Sequence, residues 1–138
     1  MKGSNHHTVT SIANQRISNA FFVLLNNEFS NKELKNSPRL RTPGDFAKQL
    51  NIHVNHLNRV LKQTAQKTTS QLIKEKVLKE AKYLLKEKHW NIAEIAYALG
   101  FKEATHFSNF FKKHARITPQ GFRKCLNVVC YCLMDVCL

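Results

Sequence analysis

Two short stretches of this chain place hydrogen-bonding side chains at helical spacing. If the segment from about Glu103 to His114 is a helix, Phe107, Phe110 and Phe111 fall on one side, and Thr105, His106, Asn109, Lys112 and Lys113 turn outward. Asn55, His56, Asn58, Arg59 and Lys62 stand in the same relation to Leu57, Val60 and Leu61 over about Val54 to Ala65. Amide, hydroxyl, imidazole, guanidinium and ammonium groups on the outer face of a rigid rod suit recognition, because a major groove admits one α-helix and offers donors and acceptors to it. They do not suit bond-making. The chain has no glycine-rich phosphate loop, no paired acids at useful spacing and no nucleophile beside a base, and its histidines are scattered or lie in the first seven residues. Neither an enzyme nor a bound cofactor is expected.

Each outward face needs a preceding element to hold it. Ile92, Ile95, Ala96 and Leu99 form a helical stripe just before the second stretch, and Gly100-Phe101-Lys102 interrupts it. Glycine tolerates the positive φ of a sharp turn between helices, so the second helix crosses the first instead of continuing it. The result is helix-turn-helix geometry, and the chain states it twice. Shifted by 49 residues, Phe46 to Ile52 lies on Ile95 to Phe101; shifted by 50, Leu57, Val60, Leu61, Lys62, Ala65 and Thr68 lie on Phe107, Phe110, Phe111, Lys112, Ala115 and Thr118. Asn51 takes the place of Gly100, and asparagine is the next best residue for a left-handed position.

Cap signals mark the helix starts. Thr42-Pro43-Gly44-Asp45 offers an N-cap, a proline at the first helical position and an acid three residues after the cap. Asn91 with Glu94 repeats the logic, Thr68 with Gln71 opens a long helix, and Thr118-Pro119 opens the last. The long helix buries Ile73, Val77, Ala81, Leu84 and Leu85 and carries an exposed Glu75–Lys79 pair. Trp90 is expected to pack under it. From Thr69 to about Lys86 it spans roughly 27 Å, a length that, with the offset of each reading helix added, can set both into successive grooves about 34 Å apart.

Upstream, Ile17, Phe21, Leu24, Leu25 and Phe29 predict a helix beginning near Thr8 or Ser11, which either covers the first motif or pairs with its copy in a second molecule. The segment from Ser30 to Pro38 has loop composition, and Met1 to His7 resembles the start of an expression tag, with native sequence the alternative.

At 138 residues the chain supports one domain or two small subdomains, and 22 Lys and Arg against 9 Asp and Glu leave a net charge of +13. Such an excess, spread over several helices, points to a polyanion, and to nucleic acid before a membrane surface. No apolar run approaches the roughly 20 residues of a membrane span, and a cytoplasmic protein is expected. Cys125, Cys130, Cys132 and Cys137 all lie in the final 14 residues. Their spacing, C-x4-C-x-C-x4-C, is not a usual zinc pattern, so no metal is expected; a tail that docks on the body, self-associates or derives from an expression vector is the reading.

The run IAEIAYALGFKEATHFSNFFKKHARITPQGFR resembles the signature region of the AraC/XylS family of bacterial transcription regulators, and the resemblance covers roughly Arg41 to Lys124. It implies an all-α fold: two helix-turn-helix subdomains joined by a linker helix, here with an additional N-terminal helix. The chain then divides into 1–40 for a tag-like start, the N-terminal helix and a loop, 41–68 and 89–124 for the two motifs, 69–88 for the linker and 125–138 for the hydrophobic tail. Sequence-specific binding of double-stranded DNA and transcriptional control, more often activation, are the implied function. RNA polymerase is a further expected partner, and a second copy of the chain is one if the N-terminal helix pairs instead of covering the first motif. Some forty residues ahead of the first motif are too few for a sensor domain, so a fragment of a longer regulator and a stand-alone binder both stay open. A helical protein-interaction module that has lost DNA is the alternative.

Carried onto this chain, the base-reading positions are Asn55, Asn58 and Arg59 in the first motif and Ala104, Thr105, His106 and Asn109 in the second. Arg59 suits guanine O6 and N7, an asparagine suits adenine N6 and N7, and Ala104 can touch only a thymine methyl. Lys62, Lys112, Lys113, Thr42 and Asn91 stand where phosphate contacts are implied. The chain departs from the family pattern at Gln66 and Arg116, where glycine usually follows each reading helix. If both are left-handed, each substitution costs about 1 kcal/mol.

Overall fold

A computed structural model describes residues 2–30, 37–87 and 89–126. Its described residues form seven α-helices and no strand: α1 (Lys2–Phe29), α2 (Pro43–Gln49), α3 (Val54–Ala65), α4 (Thr69–Glu87), α5 (Ile92–Ala98), α6 (Ala104–Ala115) and α7 (Pro119–Leu126). They gather into two compact units, one holding residues 2–30 and 39–76, the other 37–38, 77–87 and 89–126. Helix α4 contributes to both, its first eight residues to one and the rest to the other.

In the first unit α1 covers the first motif. The expected apolar face is the one buried, with Phe21, Leu25 and Phe29 fully inside and Ile17 and Leu24 half-buried. Phe21 meets Phe46 of α2 edge-on at 5.3 Å between ring centroids, a pairing worth more than its buried area alone. Helix α1 also packs on α3, where Asn14 Nδ2 donates to Gln63 Oε1 at 2.8 Å and Thr64 Oγ1 lies 3.1 Å from Ser18 Oγ. Glu28 accepts the backbone N–H groups of Arg39 and Leu40 at 2.8 and 3.2 Å, fixing the chain where it returns toward α2. The helix is longer than expected, starting at Lys2 instead of near Thr8 or Ser11. Its backbone continues through the tag-like residues because extending a formed helix costs far less than nucleating one.

In the second unit the core is aromatic. Phe107 and Phe111 are fully buried, Phe101 packs on Phe107 at 5.5 Å, and Phe111 meets Phe122 of α7 edge-on at 5.5 Å. Phe110, expected inside, is only half-buried. It lies between Phe101, at 5.4 Å, and His114, at 4.8 Å, on the flank of α6. A residue next in sequence to a core position is rotated by 100° along a helix, so one of two adjacent phenylalanines must leave the centre of the stripe. Trp90 is half-buried. Arg123 Nε donates to the Leu85 carbonyl at 3.1 Å, satisfying one of the last carbonyls of α4.

The reading of Cys130, Cys132 and Cys137, and of most of the loop after Ser30, lies outside the described residues. Among the described residues no cluster of His, Cys, Asp or Glu could hold a metal ion, and no helix is long and apolar enough to cross a membrane.

Candidate nucleic-acid interface

Local sequence sets the start of each motif. Thr42 caps α2 by accepting the Asp45 N–H at 3.2 Å, while Asp45 Oδ2 accepts the Thr42 and Arg41 N–H groups at 2.9 and 3.0 Å. These two donated bonds hold the Asp45 carboxyl below its ordinary value of 3.8, the Arg41 N–H contributing most. In the second motif Asn91 Oδ1 accepts the Glu94 N–H at 2.7 Å and Glu94 returns to the Asn91 N–H at 3.3 Å. Thr68 and Gln71 close the expected box at the start of α4: Gln71 Oε1 accepts the Thr68 N–H at 2.9 Å, and Thr68 Oγ1 accepts the Gln71 N–H at 3.2 Å.

The turns then follow the repeat. Asn51 has φ 56° and Gly100 φ 90°, the left-handed positions that break α2 from α3 and α5 from α6. Buried Phe46, Ala47, Leu57, Val60 and Leu61 lock one pair; Ile95, Ala96, Ala98, Leu99, Phe107 and Phe111 lock the other. Gln66 and Arg116 are left-handed as well, with φ 57° and 66°, and each donates its N–H to the carbonyl four residues back, Lys62 or Lys112. The chain thus keeps the helix ending that glycine favours while using residues with a Cβ.

Asn55, Arg59 and Lys62 lie exposed on α3, and Thr105, His106, Asn109, Lys112 and Lys113 lie exposed on α6, with Ala104 half-buried at the start of α6. Among the described residues no carboxylate pairs with Arg59, Lys62, Lys112 or Lys113. Their charge is uncompensated on the outer faces. Thr42 and Asn91 are exposed too, but each shares its turn with a carboxylate, Asp45 or Glu94, that already complements the helix end.

Asn58 requires correction. It does not project with Asn55 and Arg59: its Oδ1 accepts from the Thr69 hydroxyl at 2.6 Å and the Thr69 N–H at 3.2 Å, and Thr69 is fully buried. The amide oxygen needed for a bidentate adenine contact is spent tying α3 to the first residue of α4. Asn58 sits at the edge of the apolar stripe, where helical periodicity leaves the direction undecided and the nearest buried donors decide it.

Sequence reasoning missed two side chains that shape this interface. His53 caps α3, its Nδ1 accepting the Asn55 N–H at 3.2 Å, so a base-reading candidate is positioned by the turn ahead of it. Histidine is not among the preferred cap residues, and the spacing carried no signal for it. Its counterpart 50 residues on, Glu103, has cap geometry at φ −135° and ψ 146° but makes no side-chain cap bond. Its Oε2 instead lies 3.8 Å from His106 Nε2, with both side chains exposed.

A family model described as a helix-turn-helix domain matches residues 46–124, more than half of the chain. The Msm operon regulatory protein of Streptococcus mutans is 31% identical over 80 residues, 58% of this chain and 29% of its own length. The transcriptional activator RhaS of Escherichia coli is 30% identical over 78 residues, 56% of this chain and 28% of its own. The chain thus spans under a third of the length of these curated relatives. Among solved structures, a transcriptional regulator of Chromobacterium violaceum described by its AraC-type DNA-binding domain is similar in fold, with a TM-score of 0.63 at 24% identity over 83% of this chain and 94% of that one.

Proposed function

Because the chain belongs to the AraC/XylS family of helix-turn-helix proteins, we propose that it is a bacterial transcription regulator that binds particular sequences of double-stranded DNA through α3 and α6. In this reading residues 41–68 and 89–124 are the two DNA-binding motifs, and α4, at about 1.5 Å per residue, is the strut that lets α3 and α6 enter successive major grooves. The observation that supports it best is the pair of outward faces. Each follows a left-handed turn on a locked core, and among the described residues no carboxylate pairs with Arg59 and Lys62 on one or Lys112 and Lys113 on the other, in a chain of net charge +13.

Arg59 reads guanine and Asn55 reads adenine from α3, while Thr105, His106, Asn109 and the Ala104 methyl act from α6. Lys62, Lys112 and Lys113 neutralise phosphates, with smaller contributions from Thr42 and Asn91. Transcription is activated through contact with RNA polymerase, and a second copy pairs through the outer face of α1, where Ile12 and Val23 are exposed.

Selection of bound duplexes from a random pool tests this directly. Two conserved half-sites about one helical turn apart are expected. With the selected duplex, Arg59→Ala is expected to cost about 1–3 kcal/mol and to relax preference at one base pair. Equal losses on selected and random duplex would remove Arg59 from its role, and a pool that yields no enriched sequence would leave the protein-interaction reading in its place.

A further inference from the structure

Glu103 is an acid on a surface otherwise built to meet a polyanion. It occupies the residue before α6, the end of a reading helix that comes nearest to base edges. Its position suits a cap, yet its carboxylate makes no cap bond and extends to within 3.8 Å of His106 Nε2. In the first motif the equivalent His53, also exposed, spends its Nδ1 capping α3. The second motif therefore keeps an acceptor, Glu103, beside a nitrogen that can donate, His106, both exposed and on the same turn.

We infer that Glu103 is a specificity-determining residue that accepts a hydrogen bond from the N4 amine of a cytosine, with His106 donating to the guanine paired with it; the inference rests on the DNA-binding reading above. A carboxylate facing DNA gains only where a base offers a donor, because every phosphate repels it. Two bases offer an amine in the major groove, adenine and cytosine. Adenine places the N7 acceptor beside its N6 amine, and that lone pair opposes a carboxylate. Cytosine has no acceptor there, and its partner guanine presents O6 and N7 next to the amine, which suits a donor from His106. The acceptor and donor on the protein match the amine and carbonyl on one C·G pair.

The test compares pools selected by the wild-type chain, Glu103→Gln and Glu103→Ser. Wild type is expected to enrich a cytosine at one position of the half-site read by α6. Glutamine pairs with adenine N6 and N7, so Glu103→Gln is expected to move that position from cytosine toward adenine. Serine caps helices well and carries no charge, so Glu103→Ser is expected to fold, to lose preference there by about five-fold or more, and to bind random duplex at least as tightly as wild type. An unchanged consensus in both variants, or a uniform gain on all sequences with no change at any position, overturns the inference while leaving DNA binding standing. A wild-type pool with no enriched sequence removes the underlying reading instead.

Discussion

Single residues in this protein divide by where their polar atoms are spent. Arg59 and Asn58 are neighbours in sequence, yet Arg59 is exposed and Asn58 is bound to Thr69. Asn58→Ala would strip the acceptor from a buried N–H and hydroxyl, which costs about 1–3 kcal/mol. Denaturant midpoints are expected to fall accordingly, and no change would mean that Thr69 finds another acceptor unaided. Gln66 and Arg116 present the opposite case, a strain the chain tolerates. Both hold left-handed backbone at φ 57° and 66°. Gln66→Gly is expected to raise stability, since the Cβ penalty of about 1 kcal/mol exceeds the entropy that glycine returns to the unfolded chain. A lower melting temperature for this variant would show that the Gln66 side chain, which donates to the Gln63 carbonyl at 3.2 Å, offsets that penalty.

At the scale of elements, the helix starts were the most readable features. Thr42, Thr68 and Asn91 act as the caps their spacing predicts, because a capping bond joins residues three apart and needs nothing from the rest of the fold. One cap is also a pH-sensitive element. Asp45 is held below 3.8 by the N–H groups it accepts, so the folded state binds its proton more weakly than the unfolded chain does. Its contribution is fully present above the unfolded value and is lost as pH falls through the lower, folded one. Melting temperature followed into acid is expected to drop less steeply in Asp45→Asn than in wild type. Identical slopes would place the acid sensitivity elsewhere. Helix α1 was less readable: its buried face followed periodicity and its early start is the extension of a formed helix, but the hydrogen bonds that join Asn14 and Ser18 to α3 depend on residues 46 to 49 positions away.

For the whole molecule the governing quantity is charge. A chain with 22 basic and 9 acidic residues that neutralises six to ten phosphates is expected to lose about 10³ to 10⁵ in DNA affinity between 50 and 200 mM salt. Lys112→Ala is expected to weaken selected and random duplex alike and to lower the salt slope by about one. Affinity that barely responds to salt would contradict a phosphate-based interface, whatever the sequence preference. From the sequence by itself came the duplication, the four helix starts, the left-handed turns at Asn51 and Gly100, and the two apolar stripes, since each is encoded over a few residues by dihedral preference or helical period. Only tertiary structure decided the residues at the edges of those stripes. Asn58 turned toward Thr69 and Arg123 reached the Leu85 carbonyl, because an edge residue goes where another segment supplies its partner, and no local period encodes that segment's position.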